Sequence, residues 1–243
     1  MKLRDFLKRR GWLLLALLVL IGLMTYVILR FDGDLRSGSN AVIERWFTEP
    51  AARPQLTTHR SGQQCPGAPF ILPSEGLIGL LWDDPARPYT LLNPHTGIDI
   101  FGDGQPGTVP VYAAYRGYLT RLPDWFSTVA IQHDYPLQPG RTIWTYYTHM
   151  AARDGSRSFV SPAFPAGTAG QWMEAGTPLG YQGEYSPGQP IGMHLHFSIV
   201  LAEPDGSIKN ETRLGNTLDP SPYLGMPLNI ADAPARPVTC TSR

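Results

Sequence analysis

The chain has 243 residues, 42% of them apolar, and its 20 basic residues balance 20 acidic ones. That much apolar side chain suffices for one good-sized core and permits one or two domains. Beyond residue 30 the balance turns to 14 basic against 19 acidic residues, which leaves no electrostatic case for a nucleic-acid partner.

Lys2, Arg4, Lys8, Arg9 and Arg10 face only Asp5 at the start of the chain, and an uncharged run from Trp12 to Leu29 follows. As a helix that run is about 27 Å long, enough to span a bilayer. The expectation is one transmembrane signal anchor over 11–30, with residues 1–10 as a cytoplasmic basic tail and everything later on the extracytoplasmic side of the cell membrane. A cleaved signal peptide is the alternative, but the run exceeds the usual ~7–15 apolar residues and no A-x-A-like site follows it.

Residues 31–64 are polar with little periodicity and read as an extracytoplasmic stalk, although Ala41 to Phe47 suits a short helix. The rest, 65–243, has no internal repeat and reads as a single domain. Cys65 and Cys240 are the only cysteines. In an exported domain they can pair, closing a loop worth about 4 to 5 kcal/mol on the chain-entropy model, or stand as two free thiols. No C-x-x-C spacing suggests that they hold zinc.

The 24 Pro and 25 Gly residues point to turns and short strands. Expected strands are Val109 to Ala114, Gly117 to Leu122, Val129 to Gln132, Ile143 to Thr148 and Met193 to Leu201. The fold class is therefore mainly β, an antiparallel sheet or barrel-like sandwich behind one N-terminal transmembrane helix.

Chemistry concentrates in three segments. In Met193 to Val200 the large apolar residues Met193, Leu195, Phe197 and Ile199 alternate with His194, His196 and Ser198. Side chains at i and i+2 leave a strand on one side, so both imidazoles share the face opposite the apolar one. In Asn93 to Ile100, His95 and Asp99 stand four apart; Pro94, Gly97, Ile98 and Ile100 argue for a turn running into a strand. His95, Asp99 and His196 then make a three-ligand zinc set with a fourth position open, the pattern of a catalytic rather than a structural site. Thr142 to Met150 reads as a third strand with Ile143, Thr145, Tyr147 and His149 on one face. That gives His149 and His194 as an acid/base pair beside the metal.

These segments resemble the lysostaphin-type, or LytM-like, zinc metallopeptidase family. The likeness rests on His95-Thr96-Gly97-Ile98-Asp99, Tyr147-Thr148-His149 and His194-Leu195-His196. It extends through Val109 to Ala114, Gly117 to Leu119, Val129 to His133, Glu174 to Gly180 and Leu218 to Pro220, and covers roughly 85–225. The resemblance implies Zn²⁺ on His95, Asp99 and His196, with His149 and His194 acting on water or the oxyanion. It further implies an antiparallel fold with an open substrate groove, and a substrate among the peptide cross-links or stems of bacterial peptidoglycan. His133 stands where members often carry a His, with at most a supporting role. His59 reads as exposed, and the Asn210-Glu211-Thr212 sequon carries no weight.

Neither H-E-x-x-H nor G-x-S-x-G occurs, so other hydrolase plans have little support. Two alternatives stand beside a peptidoglycan endopeptidase. One is a non-catalytic LytM-like module that binds cell wall or regulates another hydrolase. The other is a zinc protease acting on an extracytoplasmic protein.

Overall fold

The computed structural model describes residues 3–59 and 64–241, without the side chains of 3–10 and 28–36. Helix α1 (Leu3–Ser37) is continuous over 35 residues. Among the described residues no helix is long and apolar enough to cross a membrane. The expected anchor runs into residues whose side chains lie outside the described ones, so a membrane span is not shown. What α1 does present is an exposed apolar surface, from Trp12 at 73% to Val27 at 43%.

The centre of the molecule is an antiparallel sheet of eight strands. In chain order they are β1 (Leu77–Ile78), β2 (Ile98–Phe101), β4 (Gly117–Thr120), β5 (Val129–Asp134), β6 (Thr142–Thr148), β7 (Gln171–Met173), β9 (Leu195–Leu201) and β10 (Thr217–Leu218). Their order across the sheet is β1-β2-β9-β6-β5-β4-β7, with β10 beside β9 past the end of β2. Strands β3 (Pro110–Tyr112) and β8 (Pro178–Tyr181) form a separate pair. All five strands expected from sequence are present; β1, β7, β8 and β10, of two to four residues, are too short to show a period.

Register explains the two faces. Pairing of Ile98 with Phe197, Ile100 with Leu195 and Tyr147 with Phe197 puts these side chains on one face, where Ile131, Ile143, Leu119, Val111 and Leu179 complete the main core. His133 and Thr145 lie on that same face. The His133 Nδ1–H donates to the Arg116 carbonyl at 2.7 Å, and Nε2 accepts from Thr145 Oγ1 at 2.7 Å. Burial pushes His133 down to about 4, so it is a neutral core histidine and takes no part in the site.

Cys65 and Cys240 form a disulfide, Cα to Cα 5.5 Å, that ties the two ends of the domain together. Part of the expected stalk is built into the fold. Helix α2 (Ser39–Thr48) and the short α3 (Arg53–Leu56) bury Trp46 and Leu56 against Leu77 and Phe101. Phe101 shares a face with Asp99 two residues earlier, so α2 sits on the sheet's second face, beside the site.

Candidate metal centre and active site

The second face gathers the chemistry. Asp99 on β2 pairs in register with His196 on β9, and His196 with Thr148 on β6, so strand alternation alone aims Asp99 and His196 at each other. His95 enters through the turn before β2. Gly97 is what lets that turn close on β9, because a Cβ there would lie 2.3 Å from the Phe197 carbonyl oxygen.

His95 Nε2, His196 Nδ1 and Asp99 Oδ1 form a nearly equilateral triangle with sides of 2.9, 2.9 and 3.1 Å. The outer partners fix what each atom offers. His95 Nδ1 stands 2.9 Å from the Leu81 carbonyl, which can only accept, so Nδ1 carries the proton and Nε2 turns a lone pair inward. His196 Nε2 donates to Glu211 Oε1 at 2.8 Å and Nδ1 faces Asp99 Oδ1 at 2.9 Å, so the inner nitrogen holds a proton against Asp99 that a metal ion would replace, taking the Nδ1 lone pair. Two imidazole nitrogens and a carboxylate oxygen thus converge within a buried space and demand a cation, whether a proton or a metal. Ligands about 2.05 Å from a tetrahedral ion are about 3.3 Å apart, close to the sides observed. The donor set and its outer hydrogen bonds therefore fit zinc.

Charge in the site follows the same logic. Burial opposes an ionised Asp99, yet His95, His194 and His196 hold it well below the usual carboxylate range. Burial likewise opposes a charged His196, but the Asp99 and Glu211 carboxylates prevail and raise it to about 10. Glu211 is lowered by His196 and by the Thr96 hydroxyl, which donates to it at 3.1 Å, against the effect of its own burial.

The two remaining histidines lie beside this cluster. His194 precedes β9 and donates Nδ1–H to the Gly192 carbonyl at 2.8 Å, with Nε2 3.6 Å from Asp99 Oδ2. His149 follows β6 and donates Nδ1–H to the Tyr185 carbonyl at 2.8 Å. Its ring centroid is 4.6 Å from that of His194 and 6.1 Å from that of His196. Burial, then the neighbouring imidazoles, push His149 down to about 3, and burial lowers His194. Both are neutral rings with Nδ1 as the donor, which leaves Nε2 an acceptor, that of His194 facing Asp99.

His149 reaches the site by a route that alternation does not supply. Ile143, Thr145 and Tyr147 face the core, and a regular strand would have sent His149 the same way. Instead β6 ends at Thr148, and His149 takes a left-handed backbone, φ 73°, held by its own ring bond to Tyr185 and by Met150 N–H donating to the Ser127 carbonyl at 3.0 Å. Such a conformation in a non-glycine residue is costly and persists where the surroundings enforce it. His149 therefore comes to lie beside His194 through this turn and not through the strand alternation expected from sequence.

The structure thus brings His95, Asp99, His149, His194 and His196 together. Sequence reasoning missed Glu211, whose loop after β9 shows no spacing signal. It also missed the carbonyls of Leu81, Tyr185 and Gly192, which set the tautomers. Cavities of about 480 and 290 Å³ flank the cluster, and His149 borders both. The larger is walled by α2; the smaller by Tyr89, Thr96, Tyr146, Glu211 and Thr212.

No family model and no curated protein matches the sequence. Among solved structures, the catalytic domain of the antimicrobial peptidase lysostaphin from Staphylococcus simulans is similar at 21% identity and a TM-score of 0.36, over 54% of this chain and 79% of that one. The catalytic domain of the prophage-encoded M23 protein EnpA from Enterococcus faecalis is similar at 24% identity and a TM-score of 0.32, over 50% and 79%. At so low a TM-score neither likeness says what this chain does.

Proposed function

We propose that this protein is a zinc endopeptidase that hydrolyses peptide bonds in bacterial peptidoglycan. The observation that carries the proposal is the triangle of inward lone pairs from His95, Asp99 and His196, bordered by two neutral imidazoles and open to a cavity on either side. His95 Nε2, Asp99 Oδ1 and His196 Nδ1 are the atoms that would hold the ion. Zinc bound there supplies Lewis acidity, polarising a carbonyl and making water more acidic.

The chain's own residues supply the rest. His149 Nε2, bare because Nδ1–H is committed to Tyr185, takes a proton from the attacking water. The resulting imidazolium is poorly stabilised in its buried position and gives the proton up readily to the leaving amine. His194, locked by Gly192 in the same tautomer, offers a second acceptor that orients the water or substrate N–H. Glu211 and Leu81 keep the two metal-binding imidazoles in the tautomers that leave lone pairs inward.

We also propose that α1 anchors the protein in the cell membrane with the site outside. The exposed apolar side chains from Trp12 to Val27 support this, since a surface so apolar calls for a membrane or a partner, and so does the disulfide, which belongs to an oxidising compartment. Alkaline extraction of membranes checks it: an anchored chain stays in the pellet, and release into the supernatant sinks the anchor.

The test of the peptidase proposal is incubation of the full-length chain in detergent with purified cross-linked peptidoglycan, reading new amino termini by mass spectrometry. New termini that vanish with chelator and return with zinc are expected. A zinc-loaded protein that binds the wall and yields no termini is instead a binding module, and cleavage confined to proteins would move the substrate to an extracytoplasmic protein.

A further inference from the structure

The groove widens on the α2 side. On one side of the cluster Thr96, Glu211 and Thr212 share the wall with Tyr89 and Tyr146; on the other, Ile43, Phe47, Leu80, Phe101, Pro190 and Ile191 form an apolar patch on a cavity of about 480 Å³, edged by Asn40, Arg87, Ser186 and Gln189. Asp99, His149 and His194 border this cavity directly, so whatever fills it lies next to the reacting bond. Two of its walls come from α2, outside the part of the chain that carries the catalytic motifs.

Helix α2 is fixed in this place rather than laid loosely over it. Trp46 is 1% exposed beneath the helix, and the Ser39 hydroxyl donates to Asp84 Oδ2 at 2.5 Å. Phe47 stands edge-on to Phe101, centroids 5.7 Å apart, and Phe101 stacks on His194 at 4.9 Å. Across the groove Phe47 meets Gly192 so closely that a Cβ there would lie 2.4 Å from the Phe47 ring. The aromatic wall is therefore continuous from α2 to a catalytic imidazole, and Phe47, 44% exposed, presents its free face to the groove.

We infer that α2 completes an apolar specificity subsite, and that the substrate is a peptide whose residue on the α2 side of the cleaved bond carries an aliphatic side chain. This rests on the peptidase reading above. A pocket of this volume is in the range of ligand sites, and a glycine in it would leave the apolar walls in contact with water. The arrangement thus selects against all-glycine bridges and for stem or cross-link residues with alkyl groups, Phe47 and Ile43 setting how large a group is accepted.

The experiment uses zinc-loaded full-length protein in detergent and a series of blocked dipeptide hydroxamates ending in Gly, Ala or Leu, whose hydroxamate addresses the metal. Affinity is measured by competition, and in parallel a mixed peptide library is digested and its cleavage sites are read by mass spectrometry. The expected result is a Leu over Gly preference of about tenfold or more, with Ala between, reduced to about threefold or less in Phe47→Ala. The library should show aliphatic residues enriched at one flanking position. Equal affinities along the series, or a preference untouched by Phe47→Ala and Ile43→Ala, would overturn the inference. A preserved preference with no cleavage of any peptide refutes the peptidase reading alone.

Discussion

Removing Glu211 should weaken metal binding without touching a ligand. The Glu211 carboxylate accepts from His196 Nε2 at 2.8 Å, with side chains only 16% and 5% exposed. In Glu211→Ala the buried N–H loses its acceptor, at a cost of about 1 to 3 kcal/mol, and nothing holds the ring in the tautomer that points Nδ1 inward. Losses from such outer partners run about 10- to 100-fold in metal affinity, and this one should fall near the upper end because the pair is so well buried. Glu211→Gln keeps an acceptor oxygen but not the charge. Since charge-assisted bonds are about twice as strong as neutral ones, it should lose about tenfold. The assay is competition for zinc against a chromophoric chelator at neutral pH, with unfolding midpoints as the control for folding. If both variants hold zinc within about twofold of the parent while folded, the argument that outer hydrogen bonds set these lone pairs fails.

His95→Ala and Asp99→Ala should lose zinc and activity together, whereas His149→Ala should retain zinc and lose about 10²- to 10⁴-fold in turnover, read by metal analysis beside kinetics. His133 stays neutral in the folded core at about 4 against 6.5 for a free imidazole, so the unfolded chain binds more protons between these values. Its contribution, about 3 kcal/mol, is fully present above pH ~6.5 and lost as pH falls towards ~4. Denaturant unfolding of His133→Gln should show a shallower loss across that window, and an unchanged slope would contradict the burial argument. Joint replacement of Cys65 and Cys240 by serine should cost about 2 to 5 kcal/mol, measured by the same unfolding. Trp46→Ala should cost about 3 to 5 kcal/mol and free α2, seen as faster proteolysis within residues 39–58.

The face that carries the His–Asp cluster was legible because strand alternation is local: Leu195, Phe197 and Ile199 against His194 and His196 need no knowledge of the rest of the chain. His95 and Asp99 were legible as a pair for the same reason. What local pattern could not show is what long-range packing decides. Glu211 finds His196 only because the loop after β9 folds back. Residues 39–58 show little apolar periodicity and so read as a stalk, yet Trp46, with Val42 and Ile43 packed around it, gives α2 a buried seat. The positive φ at His149 reverses the face that period two assigns, and the core position of His133, opposite the site, follows from the register of β5 on β6.

The most direct test of the account is anomalous diffraction at the zinc edge from crystals of the zinc-loaded protein. One peak within bonding distance of His95 Nε2, Asp99 Oδ1 and His196 Nδ1 is the predicted result. A zinc-loaded protein whose peak lies elsewhere, or involves other side chains, would contradict it.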